Sequence, residues 1–330
     1  MRVNRPSEPS YAGGATFSKL PLVLDPQELR GADVAILGAP IDETTSHRPG
    51  ARFGPRAIRL ADVAGGSPPG WPHLDLGVDA ASVLRIVDHG DAEVRPADAE
   101  WSHAALRRAV RDVVSAGCVP VVLGGDHSIA HPNVSAMAEH FGAGTVGIIH
   151  FDAHADDAAE VYGVERSHGT PMRLLVEEGS VRGDRIVQVG LRGYWPDPED
   201  FDWAREQGFV WYTMAGMEEL GLSRVLDEVI ERASAWERVW LSIDVDVADP
   251  AYAPGTGTPE PGGLTARELL GAVRRLALEV GFDGMEVVEV CPPYDHADIT
   301  ALLAHRVVLE ALSGLAVRRS GGSPRPERPR

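Results

Sequence analysis

Residues 145–157 read TVGIIHFDAHADD, an apolar, largely β-branched run that passes without a break into alternating acids and imidazole. A short continuous apolar run of this kind is what a strand buried on both faces requires. Its sharp polar end places charged side chains where such a strand meets the edge of a sheet. If the extended conformation persists beyond the run, Asp152, His154 and Asp156 project from one face, and Ala153 and Ala155 from the other.

The same design recurs along the chain. Apolar runs ending in turn or polar residues occur in DVAILGAP (33–40), SVLRIVDHGD (82–91), VPVVLGGDHS (119–128), RIVQVGLRG (185–193), FVWYTM (209–214), VWLSIDVD (239–246) and MEVVEVCPP (285–293). Helical spacing fills the gaps. In 101–117, Leu106, Val110, Val113 and Val114 form one face, with Arg107, Arg108, Arg111 and Asp112 elsewhere. Similar patterns cover 216–233, 265–279 (with Thr265 as N-cap) and 299–317. About eight strands alternating with helices predict a single α/β domain built on a mostly parallel sheet. A closed barrel of eight strands and an open doubly wound sheet both fit this pattern, and both place chemistry at the C-terminal strand ends. Residues 1–16 and 318–330 read as flexible tails around a catalytic domain of 17–317, and GGSPPGWP (65–72) as a surface loop.

The 330-residue length is compatible with one large domain, and 44% hydrophobic residues suffice for its core. Thirty-one Lys and Arg against 49 Asp and Glu leave a net charge of −18, which argues against a nucleic-acid or anionic-membrane surface. Cys118 and Cys291 are the two cysteines, too few for a disulfide framework or a thiolate metal site. The most apolar stretch, 302–317, is interrupted by His305, Arg306 and Glu310, so no membrane span is expected. MRVNRPSEPS has no apolar core of a secretory signal. A cytoplasmic protein is the expectation.

Three polar clusters fall at predicted strand ends: Asp126 and His127 after the Gly124–Gly125 pair, Asp152/His154/Asp156, and Asp244/Asp246 in SIDVDVADP. One such cluster is explained by solvated loop residues or helix caps, and Asp126 and Asp249 suit that role. Three together are different, because carboxylates packed at one sheet edge repel each other unless cations neutralise them. Four Asp and two His, without thiolate, make a donor set suited to Mn²⁺ that also accommodates Ni²⁺, Co²⁺, Fe²⁺ or Zn²⁺. Six donors exceed what one catalytic ion with an open position takes, and predict two ions sharing bridging carboxylates.

The motifs GGDHS, DAHAD, SIDVDVADP and EVCPP, in this order, resemble the ureohydrolase family of arginases and agmatinases. GAPID (38–42), RPGARFGPRAIR (48–59), VDHGD (87–91), SHGTP (167–171), VGLRG (189–193) and APGTGTPEPGG (253–263) extend the resemblance over roughly 33–317, closest to the agmatinase branch. It implies an open three-layer α/β/α fold. It further implies that His127 and Asp156 hold one metal, His154 and Asp246 the other, and that Asp152 and Asp244 bridge them. His168 in SHGTP matches a residue serving proton transfer at the cleft mouth. Asp156 matches a carboxylate that relays a proton, and Glu289 the carboxylate that grips the guanidinium. Glu286, three residues earlier, is expected to face away, and Cys291 to serve packing. The implied reaction is hydrolysis of a guanidino group to urea and an amine, agmatine to putrescine in the first place. Alternatives are 4-guanidinobutyrate, 3-guanidinopropionate, a proclavaminate-type substrate or guanidine, and, more remotely, a non-catalytic metal-binding homologue, against which the intact set of six ligands argues. A homo-oligomer, trimer or hexamer, is implied as well. Substrate choice is expected to lie in 42–52, in 157–167 and in the loop after VGLRG. Asp157, Glu160 and Glu165 are expected to supply a negative rim for an ammonium tail, unless Arg48, Arg52 or Arg166 turns inward to hold a carboxylate.

Overall fold

Eight parallel strands form one open sheet in the order β2-β1-β3-β8-β7-β4-β5-β6. They are β1 (Val34–Ala39), β2 (Ile86–Asp91), β3 (Val119–Gly124), β4 (Val146–Phe151), β5 (Ile186–Leu191), β6 (Val210–Thr213), β7 (Arg238–Asp244) and β8 (Gly284–Val288). Every apolar run named above yields one strand. The computed structural model describes residues 9–62 and 72–321. All but Pro72 of the expected 65–72 loop, residues 1–8 and residues 322–330 lie outside the described residues.

Among the described residues, ten α-helices cover the sheet: α1 (Gly54–Leu60), α2 (Ala80–Val83), α3 (Ala99–Ser115), α4 (Ala130–Phe141), α5 (Pro171–Glu177), α6 (Pro198–Gln207), α7 (Met214–Leu220), α8 (Leu222–Ala233), α9 (Ala266–Glu279) and α10 (Ile299–Arg319). Alternate strand residues face opposite layers. Ile36, Val121, Leu123, Leu241 and Val287 join the core under α8, α9 and α10, whereas Leu37, Val122, Ile148 and Trp240 join that under α3 and α4. The result is the open α/β/α sandwich, not a barrel.

Local signals place the helices. Asp98 caps α3 by accepting from Trp101 N at 3.0 Å. Thr265 and Glu268 close a capping box on α9. The pattern over 216–233 is two helices rather than one, because Gly221 at φ 82° breaks it. Helix α10 is by length and composition apolar enough to cross a membrane, but 78% of its apolar window is buried inside the protein. Its polar residues are used internally: His305 Nδ1 lies 2.8 Å from Ile58 O, and Glu310 pairs with His73 and Arg306.

The strand order matters for chemistry. Strands β3, β8, β7 and β4 are neighbours in the middle of the sheet, so four loops that are remote in sequence leave it side by side.

Candidate active site

Each of these four loops supplies polar side chains. After β3, Asp126 caps a 3-10 turn that carries His127 inward, accepting from Ser128 N at 3.1 Å. The turn is tight: a Cβ on Gly125 would sit 1.9 Å from Ile41 O, so no other residue fits there. Asp126 also accepts from Thr44 N and Thr44 Oγ1, tying the 42–52 loop to this turn.

The acids after β4 are not presented by strand alternation. β4 ends at Phe151, and Asp156 takes the left-handed conformation at φ 51°. The loop itself folds Asp152, His154 and Asp156 toward one point. After β7, Asp244 ends the strand and Asp246 lies in a 3-10 turn, whose N–H donates to Asp244 Oδ1 at 2.8 Å. Glu289, just past β8, is again left-handed at φ 63°. Two non-glycine residues in this region at one site indicate backbone strain held by the surroundings.

These residues converge in two groups. His127 Nδ1 lies 3.0 Å from Asp152 Oδ2, 3.0 Å from Asp156 Oδ2 and 3.4 Å from Asp244 Oδ2. His154 Nδ1 lies 3.1 Å from Asp246 Oδ2 and 3.4 Å from Asp152 Oδ1. Asp152 thus offers one oxygen to each group, as a bridging carboxylate must. Asp244 shows one oxygen at the first group, the other being engaged by Asp246 N.

The donor set fits divalent cations. All four aspartates are buried. Burial, then Asp246 and Asp152, push Asp244 well above the usual carboxylate range. Burial opposes charge on His127, but Asp152, Asp156 and Asp244 outweigh it and hold the imidazole well above its ordinary value. His154 is raised in the same way, burial being outweighed by Asp246 and Asp152. A divalent ion bound here would offset the buried carboxylates and compete with protons for the imidazole nitrogens.

A cavity of about 710 Å³ opens onto this cluster. His154, Asp156, Asp244, His168 and Glu289 line its inner part; Ser46, His47, Val161, Tyr162 and Trp195 line its walls. Glu289 Oε1 accepts from His127 N at 2.9 Å and lies 2.9 Å from His168 Nδ1. Glu289 Oε2 is buried with no hydrogen-bond partner. Burial lowers and Glu289 raises the His168 imidazole, and the net effect lifts it to about 9. Glu286 stays in the core, accepting from Trp240 Nε1, Ser242 Oγ and Asn133 Nδ2. Cys291 is fully buried, with its thiol pushed up to about 12 by burial and then by Glu289. Both agree with the sequence reading.

The Arginase family model matches residues 32–314, the span that contains every residue of the site just described. The chain belongs to the arginase family. It is 39% identical over 316 residues to proclavaminate amidinohydrolase of Streptomyces clavuligerus, covering 94% of this chain and 96% of that one. It is also 39% identical over 284 residues to the mitochondrial agmatinase of Gallus gallus, covering 86% and 81%. The solved structure of the Streptomyces enzyme superposes with a TM-score of 0.85 at 37% identity, over 94% of this chain and all of that one. Arginase-family proteins use a binuclear metal site, and the His/Asp cluster here could bind metal.

The rim of this arginase-family cavity differs from the expected one. Asp157 is fully buried, and Glu165 does not line the cavity. Glu160 does, joined by Asp197, Glu199 and Asp200 from the N-cap and first turn of α6. The three arginines are engaged elsewhere: Arg166 with Glu178, Arg52 with Asp42 and Glu43, and Arg48 over the Tyr294 ring. Sequence reasoning passed over His150, Gln188 and Ser242. Each is a polar residue inside an otherwise apolar strand, which is the signal that could have found them.

Asp157 gives a stability test. Both its carboxylate oxygens are buried without partners, and burial, then Asp156 and Asp200, lift it to about 7. An acid raised on folding ionises more readily in the unfolded chain. Stability is therefore intact below pH ~4 and falls as pH rises toward ~7, by at most about 4 kcal/mol. In chelator-treated protein, Asp157→Asn is expected to remove this dependence. Urea unfolding at pH 5 and pH 8 checks it: the variant should gain on the parent at the higher pH, and equal slopes would contradict the assignment.

Proposed function

We propose that this chain hydrolyses the guanidino group of a substrate with a cationic tail, agmatine giving putrescine and urea, with two divalent ions, Mn²⁺ in the first place. The observation that carries this is Glu289 Oε2, a buried carboxylate oxygen without a partner in a residue lining the cavity. A buried carboxylate oxygen left without a donor is costly, and a planar guanidinium supplies that donor in a defined orientation.

His127, Asp152, Asp156, Asp244, His154 and Asp246 would hold the ions, which when bound polarise water into a nucleophile near neutral pH. Glu289 is fixed by His127 N and His168, so the guanidinium it holds has its carbon aimed at the cluster. His168, held at Nδ1 by Glu289 and at Nε2 by Ser46, lines the cavity and would pass a proton to the leaving nitrogen. Asp156 faces the same cavity and relays a proton from the attacking water. Water adds to the guanidino carbon, the C–N bond to the tail breaks, and the tail nitrogen leaves protonated as the amine. A cytoplasmic homo-oligomer, trimer or hexamer, completes the proposal.

Sequence identity favours no tail, since a guanidino-acid and a guanidino-amine relative are both 39% identical. The cavity lining does: among the described residues it carries Glu160, Asp197, Glu199 and Asp200 and no Lys or Arg. Such a rim attracts an ammonium and repels a carboxylate. Agmatine is expected to show a higher kcat/KM than 4-guanidinobutyrate or 3-guanidinopropionate. Glu199→Lys with Glu160→Lys is expected to narrow the difference about tenfold or more. A guanidino acid preferred by the parent protein would overturn the choice of tail and leave the hydrolysis standing.

A further inference from the structure

His150 sits in β4, fully buried, two residues before Asp152. Its Nε2 lies 2.7 Å from Asp152 Oδ2, and its ring packs edge-on against His127 with centroids 4.9 Å apart. By distance alone it qualifies as a metal ligand, because a nitrogen of its ring groups with donor atoms of His127, Asp152 and Asp156. Which it is depends on where its proton lies.

Gln188, on the neighbouring strand β5, decides this. Its side-chain nitrogen is 2.5 Å from Ala155 O and 3.2 Å from His150 Nδ1. A backbone carbonyl only accepts, so the amide atom facing Ala155 O must be the NH₂; the flipped amide would set oxygen against oxygen. The second N–H of that group then points at His150 Nδ1, which must accept. An imidazole accepting at Nδ1 carries its proton at Nε2, and that proton is directed at Asp152 Oδ2. Gln188 Oε1, on the other side of the amide, is buried without a partner among the described residues.

We propose that His150 is a positioning residue rather than a ligand: Gln188 locks its tautomer, and its Nε2–H fixes the rotamer of Asp152, the carboxylate that reaches both groups of metal donors. The inference rests on the metal site proposed above. With Oδ1 held by His154 N at 2.6 Å and Oδ2 by His150, the carboxylate plane of Asp152 is set from both ends. Donors of this kind to a ligating carboxylate are worth about 10–100-fold in metal affinity.

The direct test is the ¹⁵N spectrum of histidine-labelled protein, metal-free and loaded with diamagnetic Zn²⁺. His150 is expected to show a bare Nδ1 and a protonated Nε2 in both forms. A deprotonated, metal-bound Nε2 would overturn the inference. Variants give a second readout by Mn²⁺ competition. His150→Leu is expected to bind two ions about 10–100-fold more weakly. His150→Gln, whose amide can reach the Nε2 position, is expected to recover most of that affinity. Loss of one whole ion in both variants, or unchanged affinity in His150→Leu, contradicts it. Parent protein that takes up no divalent ion would sink the metal site and this inference together, whereas normal uptake with His150 ligating sinks the inference alone.

Discussion

Glu289→Gln is expected to lower turnover at least about 10²–10³-fold while both metals stay bound. The reason is local. His127 N and His168 approach one carboxylate oxygen, Oε1, which a glutamine carbonyl replaces without loss. The new NH₂ then takes the place of the unpartnered Oε2 and presents donors to a guanidinium that has only donors to offer. Folding and metal content should survive, since no ligand is touched. The control is Glu286→Gln. Its Oε2 accepts from Asn133 Nδ2, and Asn133 Oδ1 has no partner, so the asparagine amide can turn to meet the new NH₂. Turnover should therefore persist. Turnover kept in Glu289→Gln and lost in Glu286→Gln would mean that the two carboxylates have exchanged roles.

Asp152→Ala should have the largest effect on metal content. It removes the carboxylate shared by the two groups and leaves His150 Nε2, His154 N and His127 Nδ1 facing a void. Fewer than two ions per chain and loss of nearly all activity are expected, by metal analysis of dialysed protein and urea release. Asp249→Ala is the comparison. Asp249 accepts from Ala251 N and Gly262 N and organises the loop after β7 outside the cluster. Its loss is expected to cost about 1 kcal/mol of stability and no metal. Equal metal loss in both variants would contradict the assignment of the cluster.

How much of this is legible in the sequence depends on the range of the interaction. Each apolar run becomes a strand, because burial on both faces of a parallel sheet demands uninterrupted Val, Ile and Leu. The capping box at Thr265 is likewise local. Strand order is not local: nothing in 119–128 or 285–293 states that β3 and β8 are neighbours, so periodicity leaves barrel and open sheet equivalent, and the family resemblance alone separates them before pairing is seen. The acids are legible by type and less so by geometry. Asp156 reaches the cluster through a left-handed residue, which alternation over DAHAD does not foresee. The rim illustrates the same limit. Asp157 lies within a loop that reads as polar, yet it is buried, while Asp197, Glu199 and Asp200 enter from the start of α6. His150, Gln188 and Ser242 fail differently: each is visible as a polar interruption of a strand, but it has a partner on a neighbouring strand, Gln188 with His150 and Ser242 with Glu286.

The central claim is that this cluster, loaded with two divalent ions, cleaves a guanidino group. Its most direct test is urea release from agmatine as Mn²⁺ is titrated into chelator-stripped protein, with metal per chain measured at each point. No urea without metal, and a rise that saturates at two ions per chain, is the predicted result. Full turnover in protein shown to be metal-free would contradict it.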